Sequence, residues 1–352
     1  MASRAPFKHY TFRPMTKPSL KTLLALAAGT FALALSARAQ SLLVVNQQDS
    51  DVSIIDAVSG RETARIAENT RGVHGHEIAT SADGKTAWLP IYGNTGVGKP
   101  GLDGHEMLVI DVPSRKVVAH VDFGHAVRPH LPVLDAERGL LYVTTELDKS
   151  VTIVDAKTNR IVGTVPTGQA ESHMLAISHD GRFGYTANVG PGTVSVLDLI
   201  EQKTLAVIPV VKSQGGWGVQ RISISPDDRS VFTADQTEPR LAVIDTRTKR
   251  VTSWVTLPGL GYGSAVTEDG RWLLIAIPAK DAMAVVDLRS MKVARTIPVA
   301  ANPQEVLIRP DGKVAYVSCA GAGKVSTVDL SDWHVGSIDA GKFADGLAWA
   351  PR

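Results

Sequence analysis

Seven copies of one short pattern constrain this chain more than any other feature. A β-branched run ending in aspartate recurs at 52–56 (VSIID), 107–111 (MLVID), 151–155 (VTIVD), 194–198 (VSVLD), 241–245 (LAVID), 283–287 (MAVVD) and 325–329 (VSTVD). The aspartates are 55, 44, 43, 47, 42 and 42 residues apart, the period of a four-stranded propeller blade. Each aspartate leads through a turn into another alternating run, such as 160–165 (RIVGTV) or 293–297 (VARTI). Upstream lies a further pair joined at Asp-Gly, as in 176–181 (AISHDG) before 183–187 (FGYTA), and 307–312 (LIRPDG) before 314–317 (VAYV). Asp-Gly between alternating runs is a strong hairpin signal. Each unit therefore reads as strands a, b, c and d in antiparallel succession.

The two ends complete the count. After Asp329 comes one d strand and then 346–350 (GLAWA), an a strand with nothing after it, while 42–45 (LLVV) is a b strand with no a strand before it. Pairing these two closes a ring and removes two open sheet edges. The expectation is an all-β, seven-bladed propeller of four-stranded antiparallel blades over residues 40–352, with about 45 residues per blade.

The residues Tyr142, Val143 and Thr144, then Tyr185, Thr186, Ala187 and Asn188, then Tyr316, Val317 and Ser318 each precede the aspartate-ending strand. In these the chain resembles the YVTN-type β-propeller repeat family of exported and surface-layer bacterial proteins, over essentially all of 40–352. The resemblance implies the seven-bladed fold and leaves function open. Trp-Asp dipeptides are absent, which disfavours the WD class.

The first 39 residues read differently. They hold six basic residues and no acidic one, an apolar run from 23 to 35, and Ala37, Arg38 and Ala39 ahead of Gln40. That three-part pattern predicts a signal peptide at 1–39, cleavage before Gln40, and a periplasmic or secreted monomer with no stable membrane insertion afterwards. Beyond it stand 31 basic against 35 acidic residues, a balance that excludes a phosphate-tracking nucleic-acid surface. Cys319 is the only cysteine, so there is no internal disulfide, and covalent c-type haem, which needs two cysteines, is excluded.

Inner a strands surround the channel of a propeller, so ligands are expected where the loops between blades meet. Aligning the units on Gly84, Gly181, Gly270 and Gly312 puts His76, His130, His173, Gln220, Tyr262, Gln304 and Asp345 at one repeat position. Arg128 and Arg221 flank that ring, as do His74, Glu77, His125 and Glu171. These nine aligned and arginine positions are the candidate ligand-binding set. Within it, His76, His130 and His173 are the candidate ligands of a divalent transition metal such as zinc, copper or iron. Free imidazoles titrate near about 6.5, so binding is expected to weaken below that pH.

The glycine-rich segment 93–105 emerges on the same face and is expected to be a mobile lid; a strand follows it, which excludes a phosphate-binding loop. The seven aspartates are expected to shape turns. Cys319 is expected to be packed and inert.

Three functions stay open at this point. The first is an exported module binding a small molecule, cofactor or metal at the mouth. The second is a lactonase-like or other metal-assisted hydrolase, and the third is a scaffold for an exported protein partner. Propellers of related appearance carry copper or a d1-type haem at this end of the channel, which is fold-level analogy only.

Overall fold

A computed structural model describes residues 40–213 and 216–351; the expected leader at 1–39 lies outside the described residues. It consists of seven antiparallel sheets with one short 3-10 turn, Pro278–Lys280. The first blade is built from both ends of the chain, in the order Ala344–Ala350, Ser41–Asn46, Asp51–Asp56, Arg61–Ala67. Leu42 pairs with Trp349, Leu43 with Ala348 and Val44 with Leu347, as the odd strands at each end require. No helix among the described residues is long and apolar enough to cross a membrane.

Burial follows strand position. The b and c strands are buried almost throughout, whereas the outer d strands are mostly exposed with one buried residue near the end, such as Val165 in Arg160–Pro166. Apolar side chains of neighbouring blades fill the wedges between sheets; Leu43, Ile54, Leu89 and Ile110 share one such core. The repeated aspartates close the c-to-d turns. Asp56 Oδ1 accepts the N–H of Ser59 at 2.7 Å, and Asp155 and Asp245 do the same for Thr158 and Thr248 at 2.7 and 2.6 Å. Cys319 is fully buried and its thiol lies 3.6 Å from the Ser326 hydroxyl.

One irregularity matters for the site. In six blades the pairing of strand a with strand b breaks at the aligned position. The breaks span His130 (between Pro129 and Pro132), His173 (between Ser172 and Met174), Gln220 with Arg221, Gln304 with Glu305, and Asp345. In the second blade the inner strand is split into His74–Gly75 and Ala79–Thr80, with His76 in the gap. A β-bulge bends a strand and re-aims its side chains, so these breaks turn successive residues toward the channel. Blades approach closely there: Gly346 donates its N–H to His76 O at 2.9 Å, and a Cβ on Gly346 would lie 2.3 Å from that oxygen.

Candidate functional site

The bulged positions enclose a cavity of about 370 Å³ at the loop-rich end of the channel. His76, His130, His173, Gln220, Tyr262, Gln304 and Asp345 all line it, joined by Arg221 and His74. The imidazoles converge: ring centroids of His76 and His130 are 5.4 Å apart, and those of His130 and His173 are 3.7 Å apart. His74 stacks on His76 at 5.2 Å.

Burial among these rings decides their charge. Desolvation, reinforced by the neighbouring imidazoles and by Arg221, holds His76 and His130 well below the ordinary histidine value. Both are therefore neutral at pH 7 and keep a lone pair. His76 Nε2 and His130 Nδ1 have no hydrogen-bond partner among the described residues. The expected loss of binding near pH 6.5 is corrected accordingly: protonation is displaced to more acid pH.

His173 is organised by residues that the repeat alignment did not single out. Its Nδ1 bonds Glu146 Oε1, while the Tyr92 hydroxyl donates to Glu146 Oε2 at 2.8 Å. A carboxylate facing Nδ1 takes a hydrogen bond from the ring and fixes its orientation. Gln220 Nε2 lies 3.5 Å from His173 Nε2 and donates to the Tyr262 hydroxyl at 2.8 Å.

One level deeper stands a charge cluster. Arg221 donates to Glu77 Oε1 at 2.5 Å and reaches Asp345 Oδ1 at 3.3 Å, and its guanidinium lies 4.9 Å from the Tyr262 ring centroid. Glu305, also absent from the sequence-stated set, accepts the Leu347 N–H at 2.5 Å and faces the same guanidinium. Three carboxylates around one arginine cannot all ionise cheaply in a buried site. Desolvation pushes Glu77 well above the usual carboxylate range and Glu305 up to about 7.

Two flanking residues serve other purposes. Arg128 bonds Asp103, Thr95 Oγ1 at 2.9 Å, Gly96 O at 3.3 Å and Lys99 O at 2.6 Å, so its donors tie down the segment 93–105 instead of facing the cavity. The predicted lid does reach the mouth, where Asn94, Thr95, Gly96 and Val97 line the cavity, but Arg128 anchors it. His125 is exposed and turned outward to Asp148, 2.8 Å away.

Several buried groups, Glu68, Glu305, His76 and His130 among them, give stability a defined pH dependence. Glu68 is 3% exposed, and desolvation pushes it up to about 8 despite N–H bonds from Gly75. Glu68 and Glu305 thus hold a proton more tightly folded than unfolded. Their contribution is complete below about 4.5 and is lost as pH rises through about 7 and 8. His76 and His130 act oppositely, contributing above about 6.5 and losing that contribution as pH falls. Above pH 6.5 only the carboxyl groups still change. Calorimetry should show the melting temperature falling by several degrees between pH 6.5 and 8.5, and Glu68→Gln should flatten the upper part; a level wild-type profile would refute this assignment.

With the geometry in view, the relationships to known proteins can be stated. Residues 101–225 match the model of the cytochrome D1 heme domain family, a segment holding His130, His173, Gln220 and Arg221. A solved structure of hydrazine synthase from Kuenenia stuttgartiensis superposes with a TM-score of 0.65 at 18% identity, covering 83% of this chain and 93% of that one. That likeness is one of fold. No curated protein matches the chain. The match to a haem domain overturns the divalent transition metal expected on His76, His130 and His173. Among the described residues no group of three His, Cys, Asp or Glu side chains is disposed to hold a metal ion.

Proposed function

We propose that the channel mouth is a non-covalent binding site for a haem-type macrocycle. The observation that carries this reading is the pair of buried, neutral imidazoles, His76 and His130, whose free nitrogens have no partner beside a cavity. The match of 101–225 to a haem domain supports it, and the Tyr-Val-Thr repeat resemblance is compatible with it. The residues suit such a group. Buried polar atoms without partners are costly, and a lone pair on neutral imidazole is a good iron ligand. Tyr92 and Trp217 supply aromatic wall, and a cavity of about 370 Å³ lies in the range of small-molecule sites.

His76 and His130 would hold the iron, with His173 held in place beside them by Glu146. When bound, the group supplies one-electron chemistry. The chain's own part is to keep its imidazoles neutral by burial, to exclude water beneath them with the Arg221 cluster, and to cover the mouth with the Arg128-anchored loop. Together with the basic and apolar segment at 1–39, we read the protein as a periplasmic or secreted haem-binding module.

Titration with hemin at pH 7.5, followed by the Soret band, tests this. One equivalent should saturate the wild type, and His76→Ala and His130→Ala should each bind about tenfold or more weakly. Wild-type affinity should stay level between pH 7.5 and 6.5. Equal affinity in all three proteins would rule the assignment out.

A further inference from the structure

A second cavity, of about 530 Å³, opens beside the histidine cavity on the side of the fifth, sixth and seventh blades. The two share Trp217, Gln220, Tyr262, Gln304 and Phe343, so they form one mouth with two lobes. The walls of the second lobe are Trp217, Leu260, Tyr262, Pro278 and Phe343, and no charged side chain among the described residues lines it. Trp217 and Leu260 are 36% and 41% exposed. An ion placed there would find no counter-charge, whereas a flat apolar molecule would find aromatic faces.

The amides of this lobe refine its chemistry. Gln236 Nε2 donates to Gly261 O at 2.7 Å and Gln304 Nε2 to Asn302 Oδ1 at 2.9 Å, so these two already have partners. Gln220 is different. It is 5% exposed, and its Oε1 has no partner. Its orientation follows from the network behind it. Its Nε2 donates to the Tyr262 hydroxyl at 2.8 Å and lies 3.5 Å from His173 Nε2. The carbonyl oxygen is left over as a buried acceptor where the two lobes meet. Such an acceptor demands a donor from whatever occupies the site.

We propose that this lobe is a subsite for an uncharged aromatic molecule bearing one O–H or N–H donor. Its ring lies against Trp217 and Phe343 and its donor bonds Gln220 Oε1. The proposal stands on the lobe's own walls and does not require a macrocycle in the histidine cavity; an occupant would sit next to whatever that cavity holds.

Naphthol, naphthalene and naphthoate test the proposal by calorimetric titration of the whole protein, because they share one ring system and differ in donor and charge. In the wild type, naphthol should bind about tenfold more tightly than either of the others. Gln220→Leu should erase the difference between naphthol and naphthalene without weakening naphthalene. Leu260→Asp, at an exposed position that folding tolerates, should weaken naphthol and naphthalene together by about tenfold or more. His76→Ala should leave naphthol affinity unchanged, which separates this subsite from the haem reading. No naphthol binding at millimolar concentration, naphthoate binding as tightly as naphthol, a donor preference that survives Gln220→Leu, or an inert Leu260→Asp would each overturn the proposal.

Discussion

Deleting residues 344–352 is expected to abolish cooperative folding. The lost strand Ala344–Ala350 is the inner strand of the first blade, and its removal leaves Ser41–Asn46 as an unpaired edge. It also takes Ala344, Leu347 and Trp349 out of the core they share with Leu42, Val44, Ile55 and Tyr316, including the Tyr316–Trp349 ring contact at 5.9 Å. An open apolar edge recruits other chains, so the truncated protein should aggregate. Ser41 lies opposite Ala350, so a short linker can join 344–350 ahead of residue 41. That permuted chain should regain a single unfolding transition. A truncated protein with the melting temperature of the full chain would show that the ring is closed by other contacts.

The second large effect belongs to Arg221. Replacing it by Met leaves Glu77, Glu305 and Asp345 facing one another in the channel without a cation. Removing one partner of a buried ion pair costs about 3–5 kcal/mol, a large share of a domain's net stability. The deficit should be smallest near pH 5, where the carboxyl groups are protonated, and should grow toward pH 8 as folding forces charge into the site. Adding Glu77→Gln and Glu305→Gln should recover most of it. Denaturant unfolding at several pH values reads this directly; a deficit independent of pH would mean that Arg221 acts by packing alone.

The ring architecture was legible because a propeller repeats one unit. Asp56, Asp111 and their five equivalents each mark the same c-to-d turn, so register could be read without knowing any contact. The odd strands at residues 42–45 and 346–350 then required closure. The aligned position of His76, His130 and His173 was legible for the same reason. What escaped was set by local breaks in that regularity. Alternation along strand a predicts that Glu305 and Arg221 point away from their neighbours Gln304 and Gln220, but the bulge between Pro303 and Val306, and that between Val219 and Ile222, turns both residues of each pair inward. Glu146 and Tyr92 come from the ends of b strands and the loops beyond them, where the other blades place Gln47, Val189, Gln236, Pro278 and Ala320, so no repeat signal marks them. Arg128 and His125 lie in a loop whose side-chain directions no period fixes. There Arg128 adopts a positive φ of 50° and folds back under segment 93–105.

The cofactor was misread for a related reason. Three histidines at one repeat position match the residue types of a mononuclear metal site, yet sequence places residues and not nitrogens. In the structure Glu146 occupies one nitrogen of His173, while His76 Nε2 and His130 Nδ1 have no partner among the described residues in a buried, charge-averse setting. That arrangement favours a metal delivered inside a planar macrocycle over one caged by three protein ligands.

The most direct measurement of the central claim is the absorption spectrum of the protein recovered from cells without an affinity tag and without added cofactor. The account predicts an intense Soret band that co-purifies with the protein and is lost from the His76→Ala, His130→Ala double variant while its far-ultraviolet spectrum stays that of a β protein. A colourless wild-type protein that also fails to acquire the band with hemin, or a double variant that keeps it, would contradict the account.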